Sequence, residues 1–203
     1  MEHRTGSGGA VRVAQTLESF KRTGSNVLLV GTGAPDVHER ACQRLCGTDD
    51  RDRYRLFVGI DGSRPSIHDH GSSATKRTIE YESGGPTPLK DLGIDVIEAL
   101  DAFDADAGGL ESADCRVCVD SLAPLLQTYD AERVFRLVHV LSSRIEQAQA
   151  IAHYHLPVGP DHDAVRLLEP LFDATVELRR GESEDEHRWH LHDREVRTDW
   201  IRL

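Results

Sequence analysis

Cys115-Arg116-Val117-Cys118-Val119-Asp120-Ser121-Leu122 is the stretch of this chain whose chemistry is most directly stated. A β-prone run ends in a carboxylate. A buried strand that delivers an acid at its C-terminal tip is how many α/β nucleotide-binding proteins face the Mg²⁺ side of a phosphate. Asp61 ends a second such run, Tyr54 to Ile60. Gly31-Thr32-Gly33-Ala34-Pro35-Asp36 lies between an apolar strand, Asn26 to Val30, and a helical pattern, Val37 to Cys46. Strand, glycine-rich turn and helix make the frame of a phosphate-binding loop. A working loop reads G-x-x-x-x-G-K-[ST]: backbone N–H groups cradle phosphates, the lysine carries charge to the outer oxygens, and the hydroxyl holds Mg²⁺. Counted from Gly31, Asp36 stands at the last glycine, Val37 at the lysine and His38 at the hydroxyl. A carboxylate at position 36 would repel a phosphate by several kcal/mol in a partly dry site. Arg40, one turn on, is a weak substitute for the lysine. The degenerate nucleotide site is therefore Gly31, Thr32, Gly33, Asp120 and Ser121, with Asp120 and Asp61 as candidate catalytic acids. Any binding of ATP with Mg²⁺ is expected to be weak.

His153 and His155 form a second constellation. At i and i+2 on a strand they share one face, and His162 follows in a loop. Two imidazoles and a carboxylate, here that of Asp120, are a transition-metal set, and His153, His155 and His162 are the candidate metal ligands. The competing reading is a pair of hydrogen-bonded polar residues at a strand end. Ser121 beside Asp120 invites comparison with a nucleophile that uses His155 as base, but no G-x-S-x-G elbow surrounds it. His187, His190 and His192 read as an exposed polar face near the C-terminus.

The chain has four cysteines, Cys42, Cys46, Cys115 and Cys118. Cys115 and Cys118 are three apart on a strand and point to opposite faces, so one metal does not easily take both. Cys42 and Cys46 are neighbours on a helix. The four read as buried small hydrophobes rather than a zinc site.

The elements that must position these residues follow from periodicity. Val13, Leu17 and Phe20 mark a helix over Ala10 to Arg22. Asp36, with Glu39 three residues on, has capping-box spacing for the helix after the glycine turn. Residues 62–73, rich in Gly, Ser and Pro, read as a surface loop, and Thr75 to Tyr81 as a strand. Leu89 to Phe103 carries a helical face. Asp130 to Ala148, with Asp130 as N-cap, is expected to be the longest helix. Ala150 to His155 and Phe172 to Leu178 read as strands, Asp161 to Leu171 as a short helix, and the segments around Trp189 and Trp200 as closing antiparallel strands. Alternating strands and helices predict a mostly parallel sheet covered on both faces. The organisation expected is an arm and helix over 1–23, a core over 24–180, and a C-terminal β-hairpin or tail of the same domain over 181–203.

The chain's 203 residues suit one α/β domain. No run approaches the roughly 18 apolar residues of a membrane span, and the polar N-terminus has no secretory pattern, so a cytoplasmic location without membrane contact is expected. Acidic residues number 35 against 24 basic, for a net charge of −11, and only Lys21, Lys76 and Lys90 are lysines. That balance fits a chain kept soluble at high salt, as in halophilic archaea. It disfavours nucleic acid as a partner, since no basic stripe is present.

The Cys115–Leu122 run resembles the Walker-B strand of RecA/KaiC-type ATPases. Ser25 to Val30 resembles the first strand of KaiC-like proteins. Phe57-Val58-Gly59-Ile60-Asp61 resembles their second core strand, where an acidic pair usually includes the catalytic glutamate; here a single, shorter Asp61 stands. Phe172 to Leu178 resembles the late strand. Leu92-Gly93-Ile94, Asp120-Ser121-Leu122, Glu132 to Arg136 and His153 to Leu156 together resemble a haloarchaeal RecA/KaiC-like family of uncharacterised proteins, many with eroded phosphate loops. The resemblance implies a three-layer fold of the P-loop superfamily in which the histidine strand lies between the Gly31 and Asp120 strands. It also implies relatives that work as rings or filaments. The function expected is a catalytically eroded ATPase relative acting as a regulatory or assembly module, through a protein partner or self-association. The alternatives are an ATP hydrolase with a divergent phosphate loop and a metal-dependent enzyme built on His153 and His155.

Overall fold

The computed structural model describes residues 16, 18–32, 35–47, 53–62, 75–194 and 196–203. The N-terminal arm, Gly33, and the loop expected over 62–73, apart from Gly62, lie outside them. Within the N-terminal helix expected over Ala10 to Arg22, Thr16 and residues 18–23 are helical.

The elements run β1 (Ser25–Val30), α1 (Pro35–Cys46), β2 (Tyr54–Ile60), β3 (Lys76–Tyr81), α2 (Leu89–Ala107), β4 (Cys115–Asp120), α3 (Ala123–Thr128) and α4 (Ala131–Gln147). They continue with β5 (Ile151–Leu156), α5 (Asp163–Leu168), β6 (Ala174–Arg180), β7 (Asp185–Leu191), β8 (Val196–Arg197) and β9 (Ile201–Arg202). One sheet takes all the strands in the order β3-β2-β4-β5-β1-β6-β7-β8, with β9 also paired to β7. The strands from β3 to β6 are parallel; β7 is antiparallel to β6, and β8 and β9 are antiparallel to β7. β5 lies between β1 and β4, as expected of the histidine strand.

The burial of the strands explains their sequence. Every residue of β1 is buried, and β2 and β4 are nearly so. A parallel strand covered on both faces reads as a continuous apolar run. One face carries Leu28, Val58, Val117, Val119 and Tyr154, packed under α2, α4 and α5. The opposite face carries Val27, Leu29, Val176 and Trp189 under α1 and Phe20. A polar knot ties β1 to its neighbours: Asn26 donates its backbone N–H to Asp173 Oδ2 at 2.7 Å and its amide to Ser142 O at 3.2 Å, and accepts from the Tyr154 hydroxyl at 3.2 Å.

Several local expectations are corrected. The longest described helix is α2, with 19 residues, rather than α4 with 17. Asp130 sits at the N-cap of α4, but its side chain makes no capping bond. Asp36 is not an N-cap, because Pro35 already opens α1 and Asp36 falls within its first turn; proline tolerates that place because it lacks an N–H that would go unpaired there. The helix expected over Asp161 to Leu171 is shorter, Asp163–Leu168, and gives way to a 3₁₀ turn at Glu169–Leu171. The C-terminal histidines do not form an exposed face. His187 is buried on the same side of β7 as Trp189 and Leu191, because residues two apart on a strand share a face. His190 and His192 are half-buried and lean on Glu169, at 3.4 and 3.2 Å.

Candidate functional site

The turn after β1 is built around Gly31. Its φ is +140°, and a Cβ there would stand 2.1 Å from the carbonyl oxygen of Leu178 on β6. Its N–H donates to Val158 O at 2.8 Å, and its carbonyl lies 3.0 Å from His38 Nε2. Glycine is therefore required by the close approach of two backbones. Thr32 beside it is exposed.

Positions 36 to 38 face inward or into ion pairs. Val37 is fully buried in the core shared by α1, β1 and β6. His38 is buried and points back at Gly31. The Asp36 carboxylate is paired with Arg40 at 3.1 Å and with Arg180 on β6; Asp185 joins both arginines from the start of β7. The Arg40 bond leads in holding the Asp36 carboxyl below its ordinary value. An internal anion thus stands in the first turn of α1, where the helix N-terminus favours negative charge.

The two candidate acids are placed apart. Asp120 ends β4, half-buried, opposite Gly59 of β2. Asp61 lies in the turn after β2, where its carboxylate accepts the Ser83 backbone N–H at 2.6 Å and the Ser83 hydroxyl. Ser121 has φ +60°, and its hydroxyl accepts from Ala123 N at 3.4 Å, while His155 Nδ1 faces His38 instead. The structure does not assemble a Ser121–His155 pair.

Deeper under α1, the sheet and the helix converge on a set of sulfur and nitrogen atoms. Cys118 of β4 is in register with His153 of β5. His155 follows two residues on, on the same face. From above, α1 presents His38, Cys42 and Cys46 at successive i, i+4 positions, all buried. Cys42 Sγ lies 3.2 Å from Cys118 Sγ, 3.8 Å from Cys46 Sγ and 3.3 Å from His153 Nε2. One ligand atom each from Cys42, Cys118, His153 and His155 lie within 4.8 Å of one another. Neither His162 nor Asp120 joins this group. His162 is exposed at the N-terminus of α5, where its ring accepts from Ala164 N at 3.1 Å.

The hydrogen bonds fix the tautomers. A carbonyl only accepts, so His38 carries its proton on Nε2, toward Gly31 O. Its Nδ1 is then an acceptor, and His155 Nδ1, 3.1 Å away, must be the donor. That leaves a bare lone pair on His155 Nε2. Burial holds His155 well below its ordinary pKa, with His153 and His38 acting in the same direction. Burial also lowers His38, against the opposing pull of Gly31 O and Asp120. The thiols stay protonated. The bond to Cys118, aided by burial, raises Cys42; the bond to Cys42 and burial raise Cys46; burial raises Cys118. Cys115, on the opposite face of β4, is pushed up to about 12 by burial and stands apart from the group.

Sequence reasoning found the two histidines and their shared face, but it set Cys42 and Cys118 aside as buried small hydrophobes and read His38 only as a lost hydroxyl position. The signal available was the His38-x3-Cys42-x3-Cys46 stripe, together with the parity that puts Cys118 on the face of Asp120 rather than that of Cys115.

Residues 24–178 match a family of unknown function (DUF7504), and the chain belongs to that family. No curated protein matches it.

Proposed function

We propose that this protein is a non-hydrolysing relative of the RecA/KaiC-type ATPases that acts as a regulatory or assembly module through protein contacts. The observation that carries the reading is the fate of positions 36 to 38. In a phosphate loop they serve the nucleotide. Here they serve an ion pair, a core contact and an internal hydrogen bond. Support also comes from the sheet, in which an acid-tipped β4 is separated from the glycine turn of β1 by one parallel strand. In such sheets the strand tips gather ligands, so the frame of a nucleotide site persists without its cation.

The acidic, lysine-poor composition supports work at high salt, so the tests belong in molar KCl. Calorimetric titration with ATP and Mg²⁺ is expected to give no low-micromolar binding and no hydrolysis. Low-micromolar affinity, with turnover abolished by Asp120→Asn, would overturn the reading in favour of a divergent hydrolase. Light scattering reports on assembly. A small homo-oligomer is expected; a strict monomer at high concentration would reject self-association and assign the contacts to a different protein.

A further inference from the structure

We propose that Cys42, Cys118, His153 and His155 form a closed binding site for one structural zinc ion, which pins α1 to the centre of the sheet. The proposal stands on geometry. The four ligands come from one helix and two adjacent strands, and their donor atoms lie within 4.8 Å of one another. Zinc–sulfur bonds of about 2.3 Å place two thiolates about 3.8 Å apart in a tetrahedral site. The observed 3.2 Å between Cys42 Sγ and Cys118 Sγ, and 3.3 Å between His153 Nε2 and Cys42 Sγ, are somewhat shorter than such edges, and the whole set stays within 4.8 Å.

Charge accounting selects the ion. Two buried thiolates alone would carry an uncompensated −2 charge. A divalent cation brings the set to neutrality, so loading exchanges two thiol protons for one metal and leaves the core uncharged. Two thiolates and two neutral imidazoles in tetrahedral array are a zinc set. All four residues are buried, which is the closed arrangement of a structural site; a catalytic zinc keeps a position open to water.

The surroundings are suited to the same task. His38 Nδ1 accepts a hydrogen bond from His155 Nδ1–H, which leaves the lone pair of His155 Nε2 free. A partner of that kind commonly orients a metal-bound imidazole. Without an ion, the cluster is poorly satisfied. Thiols are weak donors and acceptors, so Cys42 and Cys118 hold each other only loosely. Cys46 is adjacent to Cys42 but outside the four-ligand group, and Cys115 faces the other side of the sheet.

The probe is zinc itself, and cobalt as its coloured substitute, on the full chain without a histidine tag and under reducing conditions. We expect about one zinc per chain after dialysis, with about two protons released per ion when loading is followed by calorimetry in buffers of different ionisation enthalpy. Cobalt should give the thiolate charge-transfer and tetrahedral ligand-field absorption of mixed sulfur–nitrogen ligation. Cys118→Ser should lose zinc, whereas Cys115→Ser and Cys46→Ala should keep it. Because Cys118→Ser risks misfolding, the cobalt spectrum of the unaltered chain is the independent check. The proposal fails if the reduced chain takes up neither ion. It also fails if Cys115→Ser is as damaging as Cys118→Ser, or if mass spectrometry finds Cys42 and Cys118 joined as a disulfide in the zinc-treated protein. Zinc uptake does not depend on the ATP titration, so either reading can fall without the other.

Discussion

His38 Nδ1 lies 3.1 Å from His155 Nδ1, while the other nitrogen of His38 reaches the Gly31 carbonyl at 3.0 Å. One imidazole therefore links the glycine turn after β1 to the sulfur–nitrogen cluster under α1. His38 stands where the sequence reading set the hydroxyl of a phosphate loop, and its ring is buried.

His38→Ala tests that link. The substitution removes the acceptor for His155 Nδ1–H and leaves the imidazole free to turn. Loss of an orienting partner typically weakens metal affinity by about 10- to 100-fold, so competition with a coloured chelator should show that drop while stoichiometry at saturating zinc is unchanged. It should also lower the denaturation midpoint of the metal-free protein, because Gly31 O loses its buried donor at a cost of about 1–3 kcal/mol. Complete loss of zinc would instead make His38 a ligand.

Much of the fold was legible in the residues and much of the site was not, for different physical reasons. Strands such as β1 and β4 announce themselves because burial on both faces makes them continuously apolar. The order β4-β5-β1 came from resemblance, and the structure bears it out. His153 and His155 were readable as a pair because strand alternation is a local rule. Their thiol partners were not. Cys42 reaches His153 only because α1 crosses β4 and β5 at one height, and Cys118 only because the register pairs it with His153. Neither fact is local. His162 misled in the opposite way. It is near His155 in sequence, yet capping α5 carries it to the surface.

Gly31→Ala asks whether the glycine serves packing. The added Cβ would meet Leu178 O at 2.1 Å in a backbone conformation unfavourable to L-residues. A loss of more than about 3 kcal/mol is expected by urea denaturation. Gly62→Ala is the comparison. Gly62 also has positive φ, at +73°, but nothing lies within 4 Å of the added carbon, so only the conformational cost of about 1–2 kcal/mol applies. Equal losses would show that the contact with Leu178 is not what fixes glycine at position 31.

His187 should give the fold an acid-sensitive edge. Burial, reinforced by Arg44, holds its pKa below the ordinary 6.5 in the folded chain. As pH falls, the unfolded chain takes up the proton first. The contribution to stability is therefore full above about 6.5 and is lost as pH falls through the lower folded value. Denaturation midpoints in the presence of chelator should drop between about pH 7.5 and about pH 5.5, and His187→Gln should reduce that drop, the remainder coming from His38 and His155, whose pKa values burial also lowers. Asp173, raised by burial, acts with the opposite sign, but in the more acidic range where carboxyls titrate, so it does not mask the histidine at the upper end of this window. An unchanged slope in the variant would reject His187 as its source.

The last prediction tests the proposed likeness to a phosphate loop. Placing a lysine by Val37→Lys alone should not create a nucleotide site, because position 37 is buried in the core cluster that holds Leu29 and Val176. An ammonium there would be desolvated without a partner, and the protein would either open around it or hold it neutral. The expected result is a destabilisation of more than about 3 kcal/mol, read by chemical denaturation, with no gain in ATP binding by calorimetry. Val37→Ile changes volume without charge and should cost far less, on the order of 1 kcal/mol. If Val37→Lys instead folds normally and binds ATP with Mg²⁺, then α1 can turn its first residues outward and the proposed likeness to a phosphate loop gains a functional basis. In that event the ion pairs of Asp36 with Arg40 and Arg180 would have to open, and the binding should improve further in Asp36→Gly, which removes an anion from the first turn of α1.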